Sequence, residues 1–446
     1  MRARIHRGAH EIGGSCVELE HDGARLVLDL GKPLSAGWDD EVPLPDVPGL
    51  ATGEDFSLLG VLLSHGHADH WGLVPQVHPS VPRYCGRATA DVLRAASFWG
   101  LGVDLRESGH LVDRQPLPLG PFTVTPYLVD HSAYDAYALL VDAGGDRLFY
   151  TGDIRAHGRK TSLFERLLAD PPRDVDVLLM EGTNVRPAGD DLEKPVASEA
   201  EVELALAETL RGTDGLAVVL SSAQNVDRLV TAYRAAKRAG RMLVVDPYTA
   251  DVARATGNPN IPVPGPEWPL VRVYVPQRQR VRIKEAGEFH RAAEVKPYRL
   301  FAEDLAAAPE RYVVYGAFSS EVARFVREGV LTSSSAVIWS LWDGYLAEPS
   351  GQRLEAMLAS IDLELVHHHT SGHATGADLE RLVDAIGPGR VVPIHTEHAE
   401  AYPGSPDIRA DGTWWEIRPT RRSSTAAAAT VALTLQGGST LAPIGD

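Results

Sequence analysis

The sequence predicts a layered α/β protein built from more than one unit, and three observations carry that prediction. The chain has 446 residues, too many for one ordinary domain. Up to residue 181 short β-rich runs alternate with turns, and several runs end in a polar residue. Beyond residue 199 strands and helices alternate one for one, the pattern of a parallel sheet.

Taken in order, residues 25–30 (RLVLDL) predict a buried strand with Asp29 near its end. Residues 58–63 predict a second, which runs straight into a His-rich loop, and a helix is expected over 69–77. Runs 122–129, 137–141 and 147–150 predict three more strands, the last leading into Thr151-Gly152-Asp153. Residues 175–180 are apolar and end at Glu181. Layered α/β folds collect their sites at such strand ends. Residues 184–198, with Pro187 and Pro195, read as a linker. Then follow helix 199–210, strand 216–220, helix 226–239, strand 242–245, strand 312–315, helix 319–328 and strand 336–340. From residue 350 come a helix, a strand ending at His367 to His369, helix 376–386 and strand 390–394. The tail after Arg422 is rich in small residues and is given no role.

Composition narrows the function. With 44% hydrophobic residues the chain can bury large cores. No apolar run is long enough to span a bilayer, and the N-terminus lacks the apolar stretch of a signal peptide, so a cytoplasmic protein without a membrane partner is expected. Cys16 and Cys85 are the only cysteines, so a disulfide framework or a Cys-rich metal site is excluded, and any metal must use His and carboxylates. The net charge of -17 counts against a surface coated in positive charge. It leaves room for a local basic groove. The stretch from Arg272 to Arg299, with Arg278, Arg280, Arg282, Lys284, Arg291 and Lys296, fits either a substrate-facing patch or a solvated surface.

The chemistry concentrates in Ser64-His65-Gly66-His67-Ala68-Asp69-His70. His65, His67, Asp69 and His70 place four metal-ligating side chains within six residues, directly after a strand. Imidazoles and a carboxylate suit zinc. One such His is more often structural; the set is not. These residues alone cannot close two metal sites, and strand ends offer His131, Asp153 and His395 to complete them.

Asp29, the HGHADH block, His131 and Asp153 together resemble the metallo-β-lactamase superfamily. Three later motifs resemble its β-CASP nuclease branch: Glu181 in LMEGTN, His373 in Ser371-Gly372-His373-Ala374, and His395 in Pro393-Ile394-His395-Thr396-Glu397. Within that branch the chain is most similar to ribonuclease J, through His369 to Ala374 and through Ser222-Ala223-Gln224-Asn225, where Gln224 stands in place of the family's Ser.

The resemblance implies an αββα metallo-β-lactamase sandwich with an inserted β-CASP α/β domain built on a parallel sheet. The core would comprise residues 1–190 and 351–420, the insertion 191–350, and a tail 421–446. This length leaves no room for the further C-terminal domain that ribonuclease J usually carries. By motif, His65, His67 and His131 would hold one zinc, and Asp69, His70 and His395 the other, with Asp153 bridging. Manganese accepts the same ligands. A hydroxide activated by two metals would cut single-stranded RNA to 5′-phosphate and 3′-hydroxyl ends, endonucleolytically, 5′→3′ exonucleolytically or both. Asp69, Glu181 and His373 would be catalytic, with His373 facing the phosphate and Glu181 orienting it. Ser222, Ala223, Asn225, Ser371 and Gly372 would lie with His373 near the phosphate, and Asp29 would support the metal loop. At least two of His367, His368 and His369 read as structural. A His at position 395 accompanies RNA processing in the branch, where DNA-repair members typically have Val. A DNA nuclease of the same branch is the alternative, and a binding subunit that has lost catalysis is a third reading. Oligomeric state stays open, a homodimer included.

Overall fold

The computed structural model describes residues 1–37, 40–187, 197–316 and 319–417. The expected linker lies partly, and the tail 421–446 wholly, outside them.

Two sheets face one another in the first unit. One has seven strands in the order Trp414–Glu416, Arg2–Arg7, Cys16–His21, Ala24–Leu28, Leu58–Leu62, Arg83–Gly86 and Gly109–Leu111. The other runs Arg390–Ile394, Val177–Glu181, Asp146–Tyr150, Tyr137–Ala143, Phe122–Leu128 and Leu117–Leu119. Strand alternation builds the layers. In Ala24–Leu28, Leu26 and Leu28 enter the core between the sheets while Val27 points outward to Trp71, Ala90 and Leu93. In Val177–Glu181, Val177 and Leu179 face inward, whereas Leu178 and Met180 meet Phe164, Leu167, Leu379 and Leu382 of the outer helices. Helices thus cover both outer faces, and the αββα sandwich is present.

The second unit is a seven-stranded sheet ordered Arg299–Leu300, Val271–Tyr274, Met242–Val245, Tyr312–Gly316, Ala217–Leu220, Ala336–Trp339 and Leu365–His367. Every neighbouring pair in it is parallel. Its strands (AVVL, MLVV, AVIW) are apolar throughout because helices bury both faces.

The structure departs from the expectations in several places. The helix expected over 69–77 is one turn, Ala68–Trp71, and then a 3₁₀ turn Val74–Gln76; Pro75 removes the amide the helix needs. The second unit does not end at residue 350. Helix Pro349–Ala359 packs on it through Leu354 and Leu358, and Leu365–His367 is its edge strand. Strands Arg2–Arg7 and Cys16–His21 were not expected, their few apolar residues (Ala3 and Ile5, Val17 and Leu19) being spaced among charges. The basic stretch forms helices Gln277–Ala286 and Phe289–Val295. Among the described residues no helix is long and apolar enough to cross a membrane.

Candidate metal centre

The His-rich loop follows strand Leu58–Leu62, and the carboxylate behind it follows strand Ala24–Leu28. Asp29 has a left-handed backbone (φ 56°) that turns its side chain back under the loop. Its Oδ1 accepts the Ser64 amide at 2.7 Å. Its Oδ2 accepts the hydroxyls of Ser64 and Tyr150, each at 2.7 Å, and lies 2.8 Å from His70 Nδ1. Asp29 is wholly buried. A carboxylate there fixes the Nδ1 proton of His70 and turns Nε2 toward the site, where a cation would replace the second proton. Burial works against charge on this imidazole, but Asp153, Asp29 and Asp69 hold it well above the ordinary histidine range. The loop also needs Gly31, where a Cβ would overlap the Asp69 carbonyl oxygen.

The other expected residues arrive from their strand ends. His131 Nδ1 lies 2.6 Å from the Gly372 carbonyl, which turns Nε2 toward His67 Nδ1, 3.1 Å away. His395 also has a left-handed backbone, donates its amide to the Gly8 carbonyl and sets Nδ1 2.8 Å from the Thr183 hydroxyl. Its Nε2 is then 3.2 Å from Asp69 Oδ2. Two quartets result: His65, His67, His131 and Asp153, and Asp69, His70, Asp153 and His395. Within each group the ligand atoms lie within 4.8 Å of one another, and Asp153 belongs to both.

The donor set fits a pair of divalent cations. His65 Nε2, His70 Nε2 and both Asp153 oxygens are buried without a hydrogen-bond partner. Each such orphan costs about 1–3 kcal/mol, which a cation offsets. Burial first, and then the neighbouring imidazoles, push His65 and His131 well below the ordinary histidine range. Burial also lowers His67 to about 4. These three are therefore neutral, as ligands must be. Burial opposes charge on Asp153 too, yet His395 and His70 hold it well below the usual carboxylate range.

Beside the quartets stands His373, whose Nδ1 is 3.3 Å from Glu181 and 3.7 Å from Asp153. Burial works against its cationic form, but Glu181 and Asp153 outweigh it and raise His373 to about 9. Glu181 is fixed in turn by the amides of Ile154 and Thr183 at 3.1 Å and Ala374 at 3.4 Å. Ser371 Oγ accepts the His373 amide at 3.1 Å.

The segment 36–218 matches the family model of the beta-lactamase superfamily domain, and 361–408 that of the Zn-dependent metallo-hydrolase RNA specificity domain. The chain thus carries a metallo-β-lactamase domain and a metallo-hydrolase RNA specificity domain. It is 32% identical over 258 residues to ribonuclease J of Mycobacterium tuberculosis (strain ATCC 25618 / H37Rv), covering 54% of this chain and 43% of that protein. It is 22% identical over 419 residues to ribonuclease J of Helicobacter pylori (strain B128), covering 88% and 55%. The chain thus spans about half the length of the curated relatives it matches. A solved structure of a protein of unknown function from Enterococcus faecalis V583 has the same fold, with a TM-score of 0.74, 22% identity, and coverage of 93% of this chain and 99% of that one.

In this metallo-β-lactamase fold the expected phosphate-side residues divide. Ser222 is exposed, and the Asn225 backbone bridges to Ala133, two residues past His131. The Asn225 side chain is occupied in capping helix Val226–Arg238, where it accepts the Arg228 amide at 3.0 Å. Ala223 is packed with Val92, Trp99 and Tyr248. His368 is structural, 2.7 Å from the Thr209 hydroxyl; His367 faces Asp343 near the surface. Two residues carry weight that the sequence did not signal. Asn184 donates to Ser371 Oγ and to the carbonyls of His373 and Ala374. Arg155, wholly buried, reaches Asp130 of the His131 loop, Asp227 of the second unit and the Ser371 carbonyl. Nothing in its spacing separates it from a surface arginine.

Proposed function

We propose that this chain is a metal-dependent ribonuclease that hydrolyses RNA phosphodiester bonds to 5′-phosphate and 3′-hydroxyl ends. The observation that carries the reading is the pair of quartets sharing Asp153, with a Glu181-oriented His373 at their edge. His65, His67 and His131 would hold one ion and Asp69, His70 and His395 the other; the imidazole-rich set favours zinc, with manganese the alternative. When bound, such a pair neutralises phosphate oxygens and makes water acidic enough to ionise near neutral pH. Asp29 keeps His70 in the ligating tautomer. Glu181 accepts the Nδ1 proton of His373, so its Nε2 proton is available for the departing 3′ oxygen. Ser222, Ala223 and Asn225, with Ser371 and Gly372, border the phosphate side; the Ala223 and Asn225 side chains are taken up elsewhere, so these two act through their backbone. The names of the relatives, ribonuclease J, support RNA as substrate.

The test is a 5′-monophosphorylated, 5′-labelled single-stranded oligonucleotide, as RNA and as matched DNA, with and without chelator. Chelator-sensitive cleavage of the RNA is expected: mononucleotides for an exonuclease, internal fragments for an endonuclease. Cleavage of DNA alone would transfer the protein to DNA metabolism, and no cleavage of either by metal-loaded protein would remove the reading.

A further inference from the structure

Three neighbouring parallel strands of the second unit end level with one another. Leu220 pairs with Trp339, and Trp339 with His367. The chain leaving the first passes through Ser222 to Asn225, and the chain leaving the third runs to Ser371 and His373. Both belong to the site proposed above. The chain leaving the middle strand has had no role: Ser340-Leu341-Trp342-Asp343-Gly344-Tyr345.

Its position is fixed from both sides. The Ser340 amide donates to the Leu220 carbonyl at 3.0 Å, and the His368 amide to the Trp339 carbonyl at 3.0 Å. Arg228 donates to the Ser340 carbonyl at 3.3 Å. Beyond this anchor, Trp342 is 63% exposed and Tyr345 42%, with ring centroids 5.4 Å apart and edge to face. Gly344 lets the step form, because a Cβ there would overlap the Trp342 ring. Under Tyr345 opens a pocket of about 100 Å³ walled by Leu220, Trp339, Leu341 and Leu354.

Two large aromatic rings left partly in water gain less for folding than buried ones would. Beside a site for a single-stranded polymer they offer faces on which bases stack, whatever the sequence. We infer that Trp342 and Tyr345 form a stacking step for nucleobases of single-stranded RNA whose phosphate lies at the His373 side of the metal centre. The inference rests on the ribonuclease reading. It adds a base-binding surface at the strand ends of the second unit.

The experiment compares wild-type protein, W342A/Y345A and W342F, all metal-loaded. Two unlabelled oligomers of equal length compete against cleavage of a labelled reference RNA, one with its bases and one abasic throughout. Wild type should bind the base-bearing oligomer more tightly than the abasic one. In W342A/Y345A the inhibition constant for the base-bearing oligomer should rise about 5- to 100-fold while that for the abasic oligomer stays put. W342F should keep most of the difference, and its retained fold and bound metal exclude a general defect. If W342A/Y345A matched wild type on both oligomers, or lost both equally, the stacking step would be wrong and the ribonuclease reading would stand. If wild type cleaved no reference RNA, both would fall together.

Discussion

Replacing Asp29 by Asn changes one atom at a wholly buried position, and the structure states what that atom must do. The Ser64 amide at 2.7 Å requires an acceptor at Oδ1, so the new NH₂ takes the Oδ2 position. There it faces the Ser64 and Tyr150 hydroxyls, which can rotate to accept, and His70 Nδ1 at 2.8 Å, which cannot donate to it. His70 is then driven to carry its proton on Nε2, the atom aimed at the ligand quartet. Loss of such a supporting group typically costs 10- to 100-fold in metal affinity, about 1.4–2.7 kcal/mol. The loss should be confined to the quartet of Asp69, His70, Asp153 and His395. The assay is titration of metal-free protein against a chromophoric chelator, read as stoichiometry and affinity. Wild type should bind two ions, and Asp29→Asn should retain the first while weakening the second. A variant that held both ions with wild-type affinity would refute the tautomer argument, and equal weakening of both would assign Asp29 to the whole loop.

His373→Ala should keep both ions and lose at least about 100-fold in turnover, since a positioned general acid contributes about that much; full activity would deny it the role. Glu199 sits against Arg228, which lowers it, despite burial, from the usual 4.5 to about 2. A depressed carboxylate adds stability above its unfolded pKa, so about 3 kcal/mol should be present at neutral pH and lost as pH falls from 4.5 toward 2. Urea midpoints across that window for wild type and Glu199→Gln should converge at the acid end. Leu179, wholly buried between the two sheets, should cost about 2–5 kcal/mol as Ala by denaturant titration.

The fold class and the grouping of the candidate metal-binding residues were legible because each is written locally. Apolar runs such as AVVL and AVIW admit little but buried parallel strands. Four donors within six residues after a strand leave little room for a structural reading. Arg2–Arg7 was not legible, because its apolar residues are few and its burial depends on pairing on both edges, with Cys16–His21 on one and with Trp414–Glu416, at the far end of the described chain, on the other. The end of the second unit was missed for a similar reason: the three-residue strand Leu365–His367 is defined only by the neighbour it joins. At the candidate site, His373 and its Glu181 partner could be named from the resemblance, but not the Asn184 contact to the His373 carbonyl, which spans 189 residues of sequence.

Arg155 shows how the two units are made to share one site. It follows Asp153 by two residues, so the strand end that delivers the shared carboxylate also delivers this guanidinium. Its nitrogens meet Asp130 at 3.3 Å, Asp227 at 2.5 Å and the Ser371 carbonyl at 3.1 Å. Asp130 precedes His131, Asp227 opens the helix after Ser222 to Asn225, and Ser371 precedes His373. One buried cation therefore fixes the loop of a candidate metal ligand, the run proposed to face the phosphate and the His373 loop. Arg supplies five donors in a rigid plane and Lys only a point charge, so Lys cannot hold three acceptors in these directions. Arg155→Lys should therefore keep charge and bound metal yet lower kcat on RNA, because His373 and the phosphate-side run would no longer share one frame. An unchanged kcat in a variant with normal metal content would show that the loops are positioned without it.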